Sequence, residues 1–162
     1  MILIALGANL PSWAGAPKDT LRAAISSLGA RGITVESQSG FYSSPAWPNA
    51  SDPAFVNAVV RVRTALAPAE LLRLMHQIED SFGRERGVRN APRTLDLDLI
   101  DYDGRVEQGP PELPHRPAAS RSFVLVPLRD VAPDWRHPVS LHTVSELIAA
   151  LPQVEIRLLD NG

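Results

Sequence analysis

The chain has 162 residues, 44% of them hydrophobic, which suits one domain spanning residues 1–162 with a core that needs no crosslink. It contains no cysteine, which excludes disulfide scaffolds, zinc-thiolate sites and cysteine nucleophiles; a reducing compartment is permitted, and the cytoplasm is the expected location. A net charge of -2 argues against a broad electrostatic grip on nucleic acid.

In chain order, the apolar run Ile2 to Leu6 lacks a basic leader and is too short for a signal core or a membrane span, so it reads as a first strand ending at the turn Gly7-Ala8-Asn9. Lys18 to Leu28 shows helical spacing at Leu21, Ala24, Ile25 and Leu28, with Gly29 and Gly32 expected to stop the helix. Ile33 to Tyr42 is a strand candidate. Ser43 to Pro53 is too dense in proline and small polar residues for regular structure. Phe55 to Thr64 sets Val60 and Val62 against Arg61 and Arg63, the alternation of a strand. Pro68 opens a helix whose buried stripe is Leu71, Leu72, Met75, Ile78 and Phe82, and Gly83 ends it.

An arginine-rich loop follows, then a strand over Leu95 to Tyr102, then Asp103-Gly104 as a hairpin turn into Arg105 to Glu107. After a second proline-rich loop, Phe123 to Leu128 and a short helix over Val144 to Leu151 complete the outline. The order βαβ-βαβ predicts an α+β sandwich of the ferredoxin-like kind, a mostly antiparallel sheet with helices covering one face.

The chemistry concentrates in Pro92-Arg93-Thr94-Leu95-Asp96-Leu97-Asp98-Leu99. Residues two apart on a strand share a face, so Asp96 and Asp98 stand together while Leu95, Leu97 and Leu99 fill the opposite face. From the D-x-D spacing alone, solvated aspartates on an exposed strand are the commoner explanation. Position shifts the balance, because aspartate is depleted in strands and these two follow Arg84, Arg86, Arg89 and Arg93. Arginine forks match phosphate oxygens, and magnesium is often held by one or two carboxylates plus water and substrate phosphates. Metal ligands and cationic clamps are what phosphoryl-type transfer asks of a protein. No Walker loop, kinase-type glycine loop or G-x-G-x-x-G is present, and no register fits an EF-hand.

Arg93-Thr94-Leu95-Asp96-Leu97-Asp98, preceded by Glu79, Gly83, Arg84 and Arg86 and followed by Pro114-His115 and Arg121-Ser122-Phe123, resembles the signature of the hydroxymethyldihydropterin pyrophosphokinases. The likeness extends to Ala5-Leu6-Gly7-Ala8-Asn9-Leu10, Phe41-Tyr42-Ser43-Ser44-Pro45, Phe55-Val56-Asn57-Ala58 and Pro127-Leu128, and so covers nearly the whole chain.

The resemblance implies transfer of pyrophosphate from MgATP to 6-hydroxymethyl-7,8-dihydropterin, giving the pterin diphosphate and AMP, in folate biosynthesis. By it, Asp96 and Asp98 hold two magnesium ions, and Arg84 and Arg93 act with them in catalysis. Glu79, Arg84, Arg86, Arg93, Leu99, His115 and Arg121 line the ATP side. Ser44, Pro45, Ala46, Phe55, Asn57 and Phe123 form the pterin wall, with Phe123 stacking and Asn57 reading the edge. A monomer with no nucleic-acid or membrane partner is implied. Taken alone, Phe55 and Phe123 would read as core and His115 as an ordinary surface histidine.

Two departures from the family pattern stand out. The arginine loop, Val88-Arg89-Asn90-Ala91-Pro92, is one residue short and lacks the tryptophan that many members place there, which leaves Trp47 as a candidate for apolar cover. Pro110, Pro111 and Glu112 stand where an arginine and a threonine are frequent, and Arg116 is the candidate compensation. Two other readings compete. A ferredoxin-like regulatory or RNA-binding module fits poorly with 6% aromatics and a negative charge. A metal-dependent phosphohydrolase would use the same aspartates and arginines but no pterin pocket.

Overall fold

The computed structural model describes residues 1–46, 51–84 and 93–160. Strand β1 (Ile2–Ala8) is apolar almost throughout because both of its faces are covered, the condition that turns an alternating pattern into a continuous hydrophobic run. It pairs antiparallel with β4 (Phe55–Arg63), from Ile2 opposite Val62 to Ala8 opposite Val56, and with β5 (Asp96–Tyr102), which sets Ala5 opposite Asp98 and Gly7 opposite Asp96. With β2 (Thr34–Gln38), β3 (Phe41–Ser44) and β6 (Arg157–Asp160) the sheet runs β5-β1-β4-β3-β6, and β2 also pairs with β4. The ladders among the described residues are antiparallel. Helix α1 (Pro17–Ala30) links β1 to β2, and α2 (Pro68–Ser81) links β4 to β5, so two split βαβ units interleave as the ferredoxin-like expectation requires.

Ile2, Ile4 and Leu6 project into a core shared with Leu21, Ala24 and Leu28 of α1 and Leu71, Met75 and Ile78 of α2. The intervening residues Leu3 and Ala5, with Val59 and Ile100, pack on the opposite side against α3 (Ser122–Val131) and α4 (Val144–Ala149). Helices therefore cover both faces, not one. The alternation within β1 that dictates this is invisible to a pattern read as a single apolar run.

Four further differences are local. Gly29 lies inside α1, which continues to Ala30; the left-handed residue that ends the turn is Gly32, at φ +85°. The strand expected over Ile33 to Tyr42 is two strands, broken at Ser39-Gly40, where the buried Ser39 hydroxyl donates to Gly40 O and accepts from Val59 N. Asp103 and Gly104 do turn with positive φ (54° and 72°), but Arg105 to Glu107 forms no strand, only an isolated bridge from Glu107 to Leu113. Helix α4 stops at Ala149, two residues short of the expected end, while Phe123 to Leu128, left without an element type by the sequence, lies within α3.

Candidate functional site

Strand β5 places the site. Leu97 and Leu99 point into the α1/α2 core, which anchors the strand, and Asp96 and Asp98 share the other face with Ile100. Where α3 packs on Ile100 that face is closed; at the two aspartates it is open, their side chains remaining 23% and 28% exposed.

Asp96 is the more heavily partnered. Arg84 Nη1 donates to its Oδ1 at 2.7 Å, and Arg93 Nη1 lies 3.3 Å from its Oδ2. The same Arg84 nitrogen also donates to Glu79, a carboxylate buried in the last turns of α2. Glu79 accepts a second bond, 2.8 Å from Leu97 N, so this buried charge is tied both to the guanidinium and to the backbone of β5. Asp98 faces His115, whose Nε2 stands 3.4 Å from its Oδ1 while Nδ1 is buried with no hydrogen-bond partner among the described residues.

The two aspartates are driven apart electrostatically. Burial, with Asp98 as a close like charge, pushes Asp96 up to about 6 against the pull of Arg84 and Arg93. Burial also works against the charge on Asp98. There the His115 hydrogen bond, with the charges of His115, Arg121 and Arg84, wins and holds its carboxyl below the usual carboxylate range.

Two cavities meet at this pair. The first is lined by Gly7, Ser44, Pro45, Phe55, Asn57, Arg93, Arg121 and Phe123, and by Asp96 and Asp98. Asn57 is buried on β4, and its amide donates to Ser44 Oγ at 2.7 Å, which fixes the carboxamide. Gly7 leaves room beside it: a Cβ there would come within 3.3 Å of Asn57 Oδ1 and 3.7 Å of the Phe55 ring. Phe55 and Phe123 are only half-buried, and Arg121 lies over the Phe123 ring at 5.6 Å. The second cavity is lined by Leu72, His76, Glu79, Arg84, Leu97, Leu99, Pro110, Pro111, Glu112, His115, Arg116 and Pro117, and again by Asp96 and Asp98.

Of the expected pterin wall, Ser44, Pro45, Phe55, Asn57 and Phe123 come together in the first cavity; Ala46 is buried and does not line it. Of the expected ATP residues, Glu79, Arg84, Leu99 and His115 line the second cavity, whereas Arg93 and Arg121 line the first. Arg86, Arg89 and Trp47 lie outside the described residues. Arg116 does border the second cavity, 3.4 Å from Glu112.

Sequence reasoning missed Leu72 and His76, which a helical stripe assigns to core or surface, and gave Asn9 no role beyond a turn. Buried Asn9 accepts from Arg93 N at 2.8 Å, donates its own N–H to Arg93 O, and donates its amide to Pro53 O, so it ties both neighbouring loops to the end of β1. An asparagine directly after an apolar strand was the available signal.

No cluster of three or more His, Cys, Asp or Glu side chains among the described residues could cage a metal. The pair fits magnesium even so, since that ion takes oxygen ligands and keeps places for water and substrate phosphate. No helix of the described residues is long and apolar enough to cross a membrane.

Residues 3–133 match the family described as 7,8-dihydro-6-hydroxymethylpterin-pyrophosphokinase. A 2-amino-4-hydroxy-6-hydroxymethyldihydropteridine pyrophosphokinase of Synechocystis is 43% identical over 148 residues, 90% of this chain and 73% of that protein. One from Pseudomonas aeruginosa is 38% identical over 153 residues, 93% of this chain and 91% of the relative. Among solved structures, a Plasmodium falciparum HPPK-DHPS with pterin and p-hydroxybenzoate superposes with a TM-score of 0.70 at 12% identity, over 91% of this chain and 43% of the longer one. That likeness speaks for the fold.

Proposed function

The chain belongs to the 7,8-dihydro-6-hydroxymethylpterin-pyrophosphokinase family, and on that premise we propose that the first cavity takes the pterin, the second takes ATP, and Asp96 and Asp98 hold two magnesium ions between them. The observation that carries this reading is that the aspartates are common to both cavities. A reacting alcohol and a reacting phosphorus have to be brought within about 3–3.5 Å of each other in line, and a wall shared by two substrate sites is where they can meet.

In the first cavity the half-buried rings of Phe55 and Phe123 offer faces to a flat heterocycle, and Asn57, locked by Ser44, offers its carboxamide to the ring edge. The hydroxymethyl group then points to the aspartates. In the second cavity Arg84 and His115 flank the same carboxylates, while Arg93 and Arg121 add positive charge from the pterin side. ATP's β- and γ-phosphates pass together to the hydroxymethyl oxygen, and AMP leaves. Bound magnesium would neutralise charge on the phosphate and alcohol oxygens. The protein contributes orientation, guanidinium clamps and a partly dehydrated setting in which they act strongly. Arg86, matched to the family pattern, is assigned to the ATP side by sequence alone. The chain acts as a single domain, as a monomer in the cytoplasm.

Isothermal titration with magnesium and a non-hydrolysable ATP analogue, followed by 6-hydroxymethylpterin, tests the assignment of the two cavities. Pterin should bind well only after the nucleotide, and Asp96→Ala/Asp98→Ala should lose that coupling. A chain that never binds pterin would instead be a phosphohydrolase.

A further inference from the structure

Trp13, in the loop between β1 and α1, is 73% exposed and lines neither cavity. It is nonetheless engaged. Its ring stacks on Phe82, centroids 5.0 Å apart and planes within 15°, and Nε1 donates to Ser81 O at 2.9 Å. Ser81 is the final residue of α2, and its carbonyl is among those a helix leaves without an internal partner at its C-terminus. Phe82, which the indole covers, is 3% exposed.

Two residues further on, the chain reaches the site. Gly83 turns at φ +78°, Arg84 N donates to Glu79 O at 3.2 Å, and the Arg84 guanidinium bridges Glu79 and Asp96. The indole bond and the guanidinium therefore sit at opposite ends of one short turn. The same β1–α1 connection begins at Asn9, which holds Arg93 by its backbone. One loop thus fastens the residues on either side of the arginine-rich segment, Ser81-Phe82 before it and Arg93 after it, and both Arg84 and Arg93 contact Asp96.

We infer that Trp13 is a positioning residue for Arg84: its stack on Phe82 and its bond to Ser81 fix the last turn of α2, so the guanidinium is delivered to Asp96 already aimed. The inference rests on the reading of Arg84 as a phosphate clamp. A merely structural Trp13 would affect folding and leave the action of Arg84 untouched.

The test is a double-mutant cycle on the full chain, read as steady-state kcat and KM with ATP, magnesium and 6-hydroxymethyl-7,8-dihydropterin, with thermal midpoints alongside. Trp13→Leu should lower kcat about 10-fold with the KM for pterin within about twofold, and Trp13→Phe, which keeps the stack and drops the Ser81 bond, about 3-fold. In an Arg84→Ala background the Leu substitution should cost less than about twofold more, because the group it aims is gone. The inference is overturned if Trp13→Leu leaves kcat within twofold of wild type, or if its full loss persists without Arg84. Should Trp13→Leu melt below the assay temperature, the cycle run with Trp13→Phe decides on the same criterion; should Arg84→Ala do so, Arg84→Lys, which keeps a cation beside Glu79 but loses the planar fork, replaces it as the background. Wild-type chain that makes no pterin diphosphate overturns the proposed function itself; an active wild type with an additive cycle overturns only this inference.

Discussion

Asp96 and Asp98 stand two residues apart on one face of β5 and are pushed in opposite directions, Asp96 up to about 6 by burial and its neighbour's charge, Asp98 down by His115 and the arginines despite burial. At neutral pH Asp98 is ionised, and Asp96 is the carboxylate nearer its midpoint.

The raised value has a consequence for stability. The native chain binds the Asp96 proton more tightly than the unfolded chain, so the contribution is fully present below the ordinary carboxylate range near pH 4 and is lost as pH rises through about 6. Its size is at most about 3 kcal/mol at roughly 1.4 kcal/mol per unit. Urea unfolding of ligand-free protein at steps between pH 4 and 7 should show this decline, and Asp96→Asn should flatten it.

Ligand binding probes the same proton. If Asp96 holds magnesium as proposed, it does so ionised, so at pH 5.5 to 6 binding of magnesium and nucleotide should release a proton, and the calorimetric heat should vary with the buffer's ionisation enthalpy. At pH 8 that dependence should vanish.

Glu79 is almost wholly buried and balanced by Arg84 and Leu97 N. Arg84→Ala takes the guanidinium away from that buried charge and should cost about 3–5 kcal/mol of stability, along with activity. Glu79→Gln retains an acceptor for Leu97 N and should cost less. Denaturant midpoints separate the two.

Gly7 lines the first cavity beside Asn57 and Phe55. Gly7→Ala would set a methyl group 3.3 Å from Asn57 Oδ1 and 3.7 Å from Phe55. Pterin affinity should fall about 10-fold, which is about 1.4 kcal/mol, while affinity for the magnesium–nucleotide complex stays within twofold. Titration of each ligand separately checks this.

Much of this architecture was legible in the sequence because it rests on periodicity. The leucines of β5 and the stripe of α2 announce their buried faces, and alternation alone puts Asp96 beside Asp98. The second layer was harder to see. Leu3 and Ala5 are hidden in an unbroken apolar run, and β6 offers Leu158 and Leu159 in a short edge segment without alternation. In the site, Asn57, Phe55 and Phe123 were singled out through motif order, since either phenylalanine alone resembles an ordinary core residue. Trp13 and Asn9 act across long sequence separations, Trp13 on Ser81 and Asn9 on Arg93, and no local pattern reports such contacts.

In the proposed function one pair of aspartates serves two substrate cavities in a single diphosphoryl transfer. The most direct measurement follows phosphorus and pterin together by 31P NMR and chromatography, with ATP, magnesium and 6-hydroxymethyl-7,8-dihydropterin, for wild type and Asp96→Asn/Asp98→Asn. Wild type should give AMP and pterin diphosphate in equal amounts, only when pterin is present, and the variant should lose on the order of 10²–10³-fold or more. ADP or free phosphate formed at the same rate without pterin, or a variant that turns over like wild type, would contradict it.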